Sequence, residues 1–183
     1  MQSKNLMDII TGIIYFLIVV FGIRYIPFFR QIDGLSYRML LVFFILKVFA
    51  GTLLIFIYTF YYEKETADFY KYFADGEIMF EAIKINPVDY LRMVSGVGAN
   101  SPHLEAYYRE MLYWYRPWES PIYNDSRLII RFNALLHLVS FGSVHVHNII
   151  ANLLSLSGLI AFYKFFYKSH NSRIAILIFL YIF

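Results

Sequence analysis

Apolar residues in this chain fall into long blocks, separated by short basic turns and by one long polar stretch. The first block runs from about Ile9 to Phe29 and contains the run Ile13-Ile14-Tyr15-Phe16-Leu17-Ile18-Val19-Val20-Phe21. The second runs from about Met39 to Tyr62, with Lys47 inside it and Tyr58, Tyr61 and Tyr62 at its far end, where an interfacial aromatic belt belongs. A shorter block, Leu128 to Phe141, is broken by Arg131 and His137 and ends at Gly142-Ser143. Ser143 is placed to cap the next block, Val144 to Phe166. A final block begins at Ile174 and reaches Phe183. Crossing a bilayer takes about 20 mostly apolar residues. The Ile9, Met39 and Val144 blocks meet that length. Leu128–Phe141 is short for a crossing, and we read it as re-entrant or interfacial. The last block covers only half a span, so the chain is expected to be the amino-terminal part of a longer protein.

The stretch from Glu63 to Arg127 has a helical pattern of its own. Thr66 is placed to cap a helix reaching about Lys84, whose Phe69, Tyr72, Phe73, Gly76, Phe80 and Ile83 share one stripe. Asn86-Pro87 reads as a new start, with Asn86 at the N-cap and Pro87 at the first helical position, and the helix should end near Gly96. Gly96-Val97-Gly98-Ala99-Asn100 signals a loop. Ser101-Pro102 begins a third helix expected to reach about Tyr115, and Pro117 and Pro121 bracket a further turn. Aromatic-rich amphipathic helices of this kind fit a bilayer surface. The fold class expected is all-α: a single membrane domain over residues 1–183, built as a polytopic transmembrane helix bundle, with amphipathic helices in a loop over residues 63–127.

Composition agrees. Apolar residues make up 60% of the chain and charged ones 16%, with a mean hydropathy of +0.55, well to the apolar side of a soluble domain. A cleaved signal peptide does not fit the first block, because Lys4 is balanced by Asp8 and bulky Arg24-Tyr25-Ile26-Pro27 follows it. The segment Glu63–Arg127 holds 11 of the 13 acidic residues but only 7 of the 16 basic ones. This is not the dense basic face of a nucleic-acid binder. It bears on topology instead, since short cytoplasmic loops collect Lys and Arg. Placing the basic turns Arg24–Arg38 and Lys164–Arg173 inside puts the N-terminus and the acidic loop outside. The chain has no cysteine, which removes disulfides and thiolate metal sites.

Several polar residues stand out as candidates. Asp68 and Asp75 are seven apart, nearly in line on one helical face, with Lys71 one turn from each. A carboxylate there could act as a general base toward a sugar hydroxyl, although spacing alone favours a solvated polar face with i,i+4 ion pairs. Lys47 and Arg131 are charges at membrane depth, costly by about 2.5–3.5 kcal/mol on insertion scales. Arg127 and Arg131 are four apart and could together clamp a phosphate. Snorkelling is the plainer reading of Arg127, and Lys47 could equally be a salt-bridge partner within the bundle. His145 and His147 are two apart and do not share a helical face, a poor arrangement for a metal. Asn148 and Asn152 fit interhelical hydrogen bonding, and Ser155 and Gly158 fit close packing.

The order of these parts resembles the first exterior loop of the polytopic glycosyltransferases of the GT-C superfamily, and related O-antigen-polymerase-like proteins of polysaccharide assembly. An apolar span ends in aromatics, Asp68-Phe69-Tyr70-Lys71-Tyr72-Phe73-Ala74-Asp75-Gly76 follows at once, and the chain returns to the membrane through Asn124-Asp125-Ser126-Arg127. The resemblance covers about residues 40 to 166. It implies an integral, multi-pass protein of the inner or plasma membrane, a polyprenyl-phosphate sugar donor and a glycan or lipid acceptor; no cofactor or metal is expected. By position Asp68 best matches the family's catalytic acid, with Asp75 second. Arg127, Arg131 and Lys47 are the lipid-phosphate candidates by plausibility, without a matched motif. The alternative expectation, from a different class, is a non-catalytic transport or scaffold module in which Lys47 and Arg131 line a substrate path or a polar core.

Overall fold

The computed structural model of the protein describes residues 2–30, 32–62, 67–115 and 125–169. The expected cap at Thr66, the turn between Pro117 and Pro121, Asn124, the His170–Arg173 end of the basic turn and the block from Ile174 lie outside the described residues. Among the described residues every regular element is helical: α1 (Gln2–Gly22), α2 (Pro27–Arg30), α3 (Tyr37–Phe60), α4 (Asp68–Ile85), α5 (Pro87–Ser95), α6 (Glu105–Glu110), α7 (Ser126–Ser140) and α8 (Val144–Ser169), with short 3-10 turns at Ile23–Tyr25 and Pro102–Leu104. Three helical stretches are long and apolar enough to cross a membrane, Leu6–Tyr25, Tyr37–Phe60 and Val144–Lys168. Their outer surfaces carry large apolar side chains such as Ile13, Leu17, Phe49 and Leu54. In lipid, a helix satisfies every backbone polar group within its own segment, which explains how the β-branched run of α1 stays helical.

The first apolar block does not continue as one helix to Phe29. α1 ends at Gly22 and Ile26 turns extended, at φ −76° and ψ 117°. Pro27 imposes this, because its ring disfavours helical geometry in the preceding residue.

The chain forms two compact units, one drawn from Met1–Ile55 with His145–Phe183 and the other from Phe56–Val144. In the first unit Phe44, Ile149, Leu156 and Ile160 lie in the core. α3 and α8 approach closely at Gly51, where a Cβ would fall on the Asn148 side-chain amide. Asn148 donates to Val48 O at 3.1 Å and to Thr52 Oγ1 at 3.2 Å. Buried Tyr163 donates to Asp33 O at 2.8 Å and ties the turn before α3 to α8.

The second unit has a core of its own, including Met79, Tyr90, Met93, Leu104, Ile130 and Ala134. α5 is set by the expected caps. The Asn86 side chain accepts the Val88 N–H at 3.1 Å, Pro87 opens the helix, and Gly96 closes it at φ +81°. The third loop helix is much shorter than expected: a 3-10 turn leads into α6, which stops at Glu110 rather than near Tyr115. Met111 is extended and the next two N–H groups are taken by a carboxylate, so the helical ladder has no donors left to continue. The innermost stripe of α4 also differs from expectation. Asp75, Gly76, Met79 and Ala82 are buried, while Phe69, Phe73 and Phe80 lie at the margin. Gly76 brings α4 against α7, since a Cβ there would meet Asn133 Cβ at 2.7 Å and Ala134 N at 3.0 Å. The Leu128–Phe141 block is one helix, α7, with no reversal inside it, and it packs on α4.

Candidate functional site

The site is organised by residues 112–115, which follow α6. Asp75 Oδ1 accepts the Leu112 N–H and Oδ2 accepts the Tyr113 N–H, both at 2.8 Å. Asp75 is fully buried. Its expected place on a solvated face beside Asp68 is therefore corrected: it turns inward and is occupied with holding backbone. Two unpaired N–H groups after a truncated helix would be costly when buried, and the carboxylate answers both. Burial pushes the Asp75 carboxyl above the ordinary aspartate range, with the two N–H donors pulling the other way.

Asp68 opens α4 and is exposed. It accepts the Tyr113 hydroxyl at 3.0 Å, and the same hydroxyl accepts from Lys71 Nζ at 3.0 Å. That hydrogen bond raises the Lys71 pKa, so a full cation stays one turn from Asp68. Tyr72 stacks at 5.2 Å on Tyr113, which fixes the ring that bridges the two charges.

The next residue, Trp114, is buried and stacks on Tyr108 with centroids 4.2 Å apart and planes 5° from parallel. Two guanidinium groups approach its ring, Arg127 at 5.0 Å and Arg131 at 5.4 Å from the centroid. Arg127 Nε donates to Trp114 O at 3.3 Å, and Arg131 Nε donates to Met93 O at 2.8 Å. Each arginine thus uses Nε on backbone, leaving the terminal amino groups directed away from that bond. The ion pairs among the described residues involve Lys84, Arg92, His103 and Arg109, not these two arginines. Burial lowers the Arg131 pKa and the neighbouring Arg127 charge acts in the same direction, although a guanidinium remains cationic at neutral pH. Burial raises the Tyr108 hydroxyl to about 12, so it stays neutral and donates to Ala99 O at 2.8 Å.

Asp68, Arg127 and Arg131 therefore meet the same short segment, through Tyr113 and Trp114. Lys47 belongs to α3 in the other unit, where it is half-buried. Sequence reasoning missed Tyr113, Trp114 and Asp89. Asp89 is buried in the first turn of α5 and pairs with His103 at 2.9 Å and Arg92 at 3.8 Å. The one available signal was the run Tyr113-Trp114-Tyr115 at the point where the helical pattern stops. Among the described residues no three His, Asp or Glu side chains converge as a metal site.

Fold and site together define a helical protein with three helices able to cross a membrane and a helical unit that carries a carboxylate and two arginines around an aromatic segment. No family model, curated protein or solved structure matches the chain.

Proposed function

We propose that this protein is a multi-pass membrane glycosyltransferase of the GT-C kind, which moves a sugar from a polyprenyl-phosphate donor to a glycan or lipid acceptor at the exterior face of the inner or plasma membrane. The observation that carries this reading is the adjacency of Tyr113 and Trp114. One holds the exposed carboxylate Asp68 and the ring of the other has the guanidinium groups of Arg127 and Arg131 within 5.4 Å of its centroid. A base and a cationic clamp are the two groups that the transfer needs. The acceptor oxygen forms a bond to the anomeric carbon as its proton passes to Asp68. The bond from that carbon to the phosphate oxygen breaks, and the polyprenyl phosphate leaves as an anion stabilised by the arginines. The charge asymmetry of the chain, acidic between Glu63 and Arg127 and basic elsewhere, supports placing this chemistry outside.

The test is transfer of a labelled sugar from a polyprenyl-phosphate donor in membranes containing the protein. Asp68→Asn should abolish product while the amount of inserted protein and its melting temperature stay unchanged. Full product from that variant would remove Asp68 as the base, and wild-type product no greater than in membranes lacking the protein would overturn the enzyme reading. The second outcome would leave a non-catalytic transport or scaffold module, which the structural use of Asp75 and Asp89 favours.

A further inference from the structure

α7 is built inside out. Six of its residues are exposed, Leu128, Ile129, Phe132, Leu135, Leu138 and Val139, and all are apolar. Its polar side chains point the other way. Ser126, His137 and Ser140 are buried, Arg131 donates to Met93 O, and His137 shares a hydrogen bond with Phe73 O at 3.1 Å. α4, its partner in the same unit, is ordinary by comparison, with Glu77, Glu81 and Lys84 at least partly exposed. A helix in water would show the reverse of the α7 pattern. Contiguous apolar surface of this kind marks a contact with lipid or protein.

We infer that the outer face of α7 lies in the acyl region of a lipid bilayer. Chain connectivity selects lipid over a protein partner. Only Phe141, Gly142 and Ser143 separate α7 from α8, one of the helices long and apolar enough to cross a membrane. The four Cα–Cα steps from Ser140 to Val144 reach at most about 14 Å, so the end of α7 stays within that distance of the start of α8. Phe141, which joins them, is 84% exposed and adopts a left-handed φ of +53°. At 15 residues α7 is about 22 Å long, short of the roughly 30 Å hydrocarbon core, so it dips into the bilayer without crossing it.

The chain has no cysteine, so single labels report without background. Bimane placed by Leu135→Cys and, separately, by Val139→Cys in phosphatidylcholine liposomes should be quenched at least twofold by nitroxides carried on the lipid chains, and shielded from aqueous iodide. Bimane at Glu81→Cys on α4 should show the opposite. Because the substituted leucine and valine are exposed, each label site is readable without the other. Iodide quenching at both α7 sites would overturn the inference by showing a face in water. Shielding from both quenchers would overturn it by showing a protein, a partner or a second copy, covering the helix.

Discussion

Asp75 Oδ2 accepts the backbone N–H of Tyr113 at 2.8 Å, bridging 38 positions of chain, and Oδ1 of the same carboxylate holds the adjacent N–H of Leu112. The buried carboxylate therefore determines where the aromatic segment runs, and through Tyr113 where the hydroxyl facing Asp68 sits. Its role is architectural. Asp75→Asn keeps one acceptor oxygen and sets an amide N–H₂ against a backbone donor. Leaving a buried donor unmet costs about 1–3 kcal/mol. The purified protein in detergent should melt several degrees lower with Asp75→Asn and unchanged with Asp68→Asn. A wild-type melting curve for Asp75→Asn would show that the segment holds itself.

Tyr113 acts on Asp68 without needing to touch a substrate. Its hydroxyl donates to Asp68 and accepts from Lys71, so it sets both the direction and the charge environment of the carboxylate. Tyr113→Phe keeps the ring that stacks on Tyr72 and removes the bridge. Asp68 is exposed, so water replaces the lost donor at little cost to stability; melting should change little while sugar transfer falls about tenfold as the base loses its fixed direction. Wild-type transfer by Tyr113→Phe would show that the bridge between Asp68 and Lys71 plays no part in placing the carboxylate.

Gly76 lets α4 and α7 meet. A Cβ at this position would lie 2.7 Å from Asn133 Cβ and 3.0 Å from the Ala134 backbone nitrogen, and backbone cannot swing aside as a side-chain tip can. Gly76→Ala should therefore destabilise the unit by about 1–3 kcal/mol, despite the better helix propensity of alanine. Gly158→Ala makes a control within α8, since a Cβ there meets nothing within 4 Å. Unfolding of both variants in the same detergent separates the packing effect from helix propensity. Similar stability for the two would remove Gly76 from the contact.

The layout of helices is legible in the chain because membrane length and local caps dominate it. The apolar blocks ending near Tyr62 and beginning at Val144 become α3 and α8, and Asn86, Pro87 and Gly96 bound α5. The site is less legible, for a physical reason. Hydrophobic periodicity counts every Asp as outward-facing, whereas Asp75 and Asp89 are buried because each has specific partners distant in sequence. Nothing near Asp75 in sequence announces the N–H groups of Leu112 and Tyr113. The same rule fails in reverse on α7, where Arg131 and His137 look like interruptions of a membrane block and instead form its inward face. Asp68, exposed at the first turn of α4, is where the sequence puts it.

His137 should make the second unit sensitive to acid. Its ring packs on Phe73 and Phe80, at 4.6 and 5.8 Å between centroids, and as the neutral tautomer protonated at Nε2 it donates to Phe73 O at 3.1 Å. Burial lowers its pKa, against smaller upward pulls from the Phe73 carbonyl and from Glu77 and Glu81. The unfolded chain therefore takes up a proton at the ordinary value of 6.5 while the folded chain does not, so stability rises with pH across this window. It should be complete above about 6.5, fall as pH drops toward the lowered native value, and level off below that. Asp75 works in the opposite sense. Its raised carboxyl means that stability declines as pH rises from 3.8 toward the native value, so the wild-type curve sums two slopes of different sign. His137→Gln retains a side-chain N–H for the Phe73 carbonyl and cannot titrate. The difference between wild-type and His137→Gln melting temperatures, measured from pH 5 to pH 8, isolates the histidine. A difference that shrinks as pH falls means the wild type is losing its advantage on protonation of the unfolded state. A difference that stays constant with pH would show that His137 titrates normally in the fold.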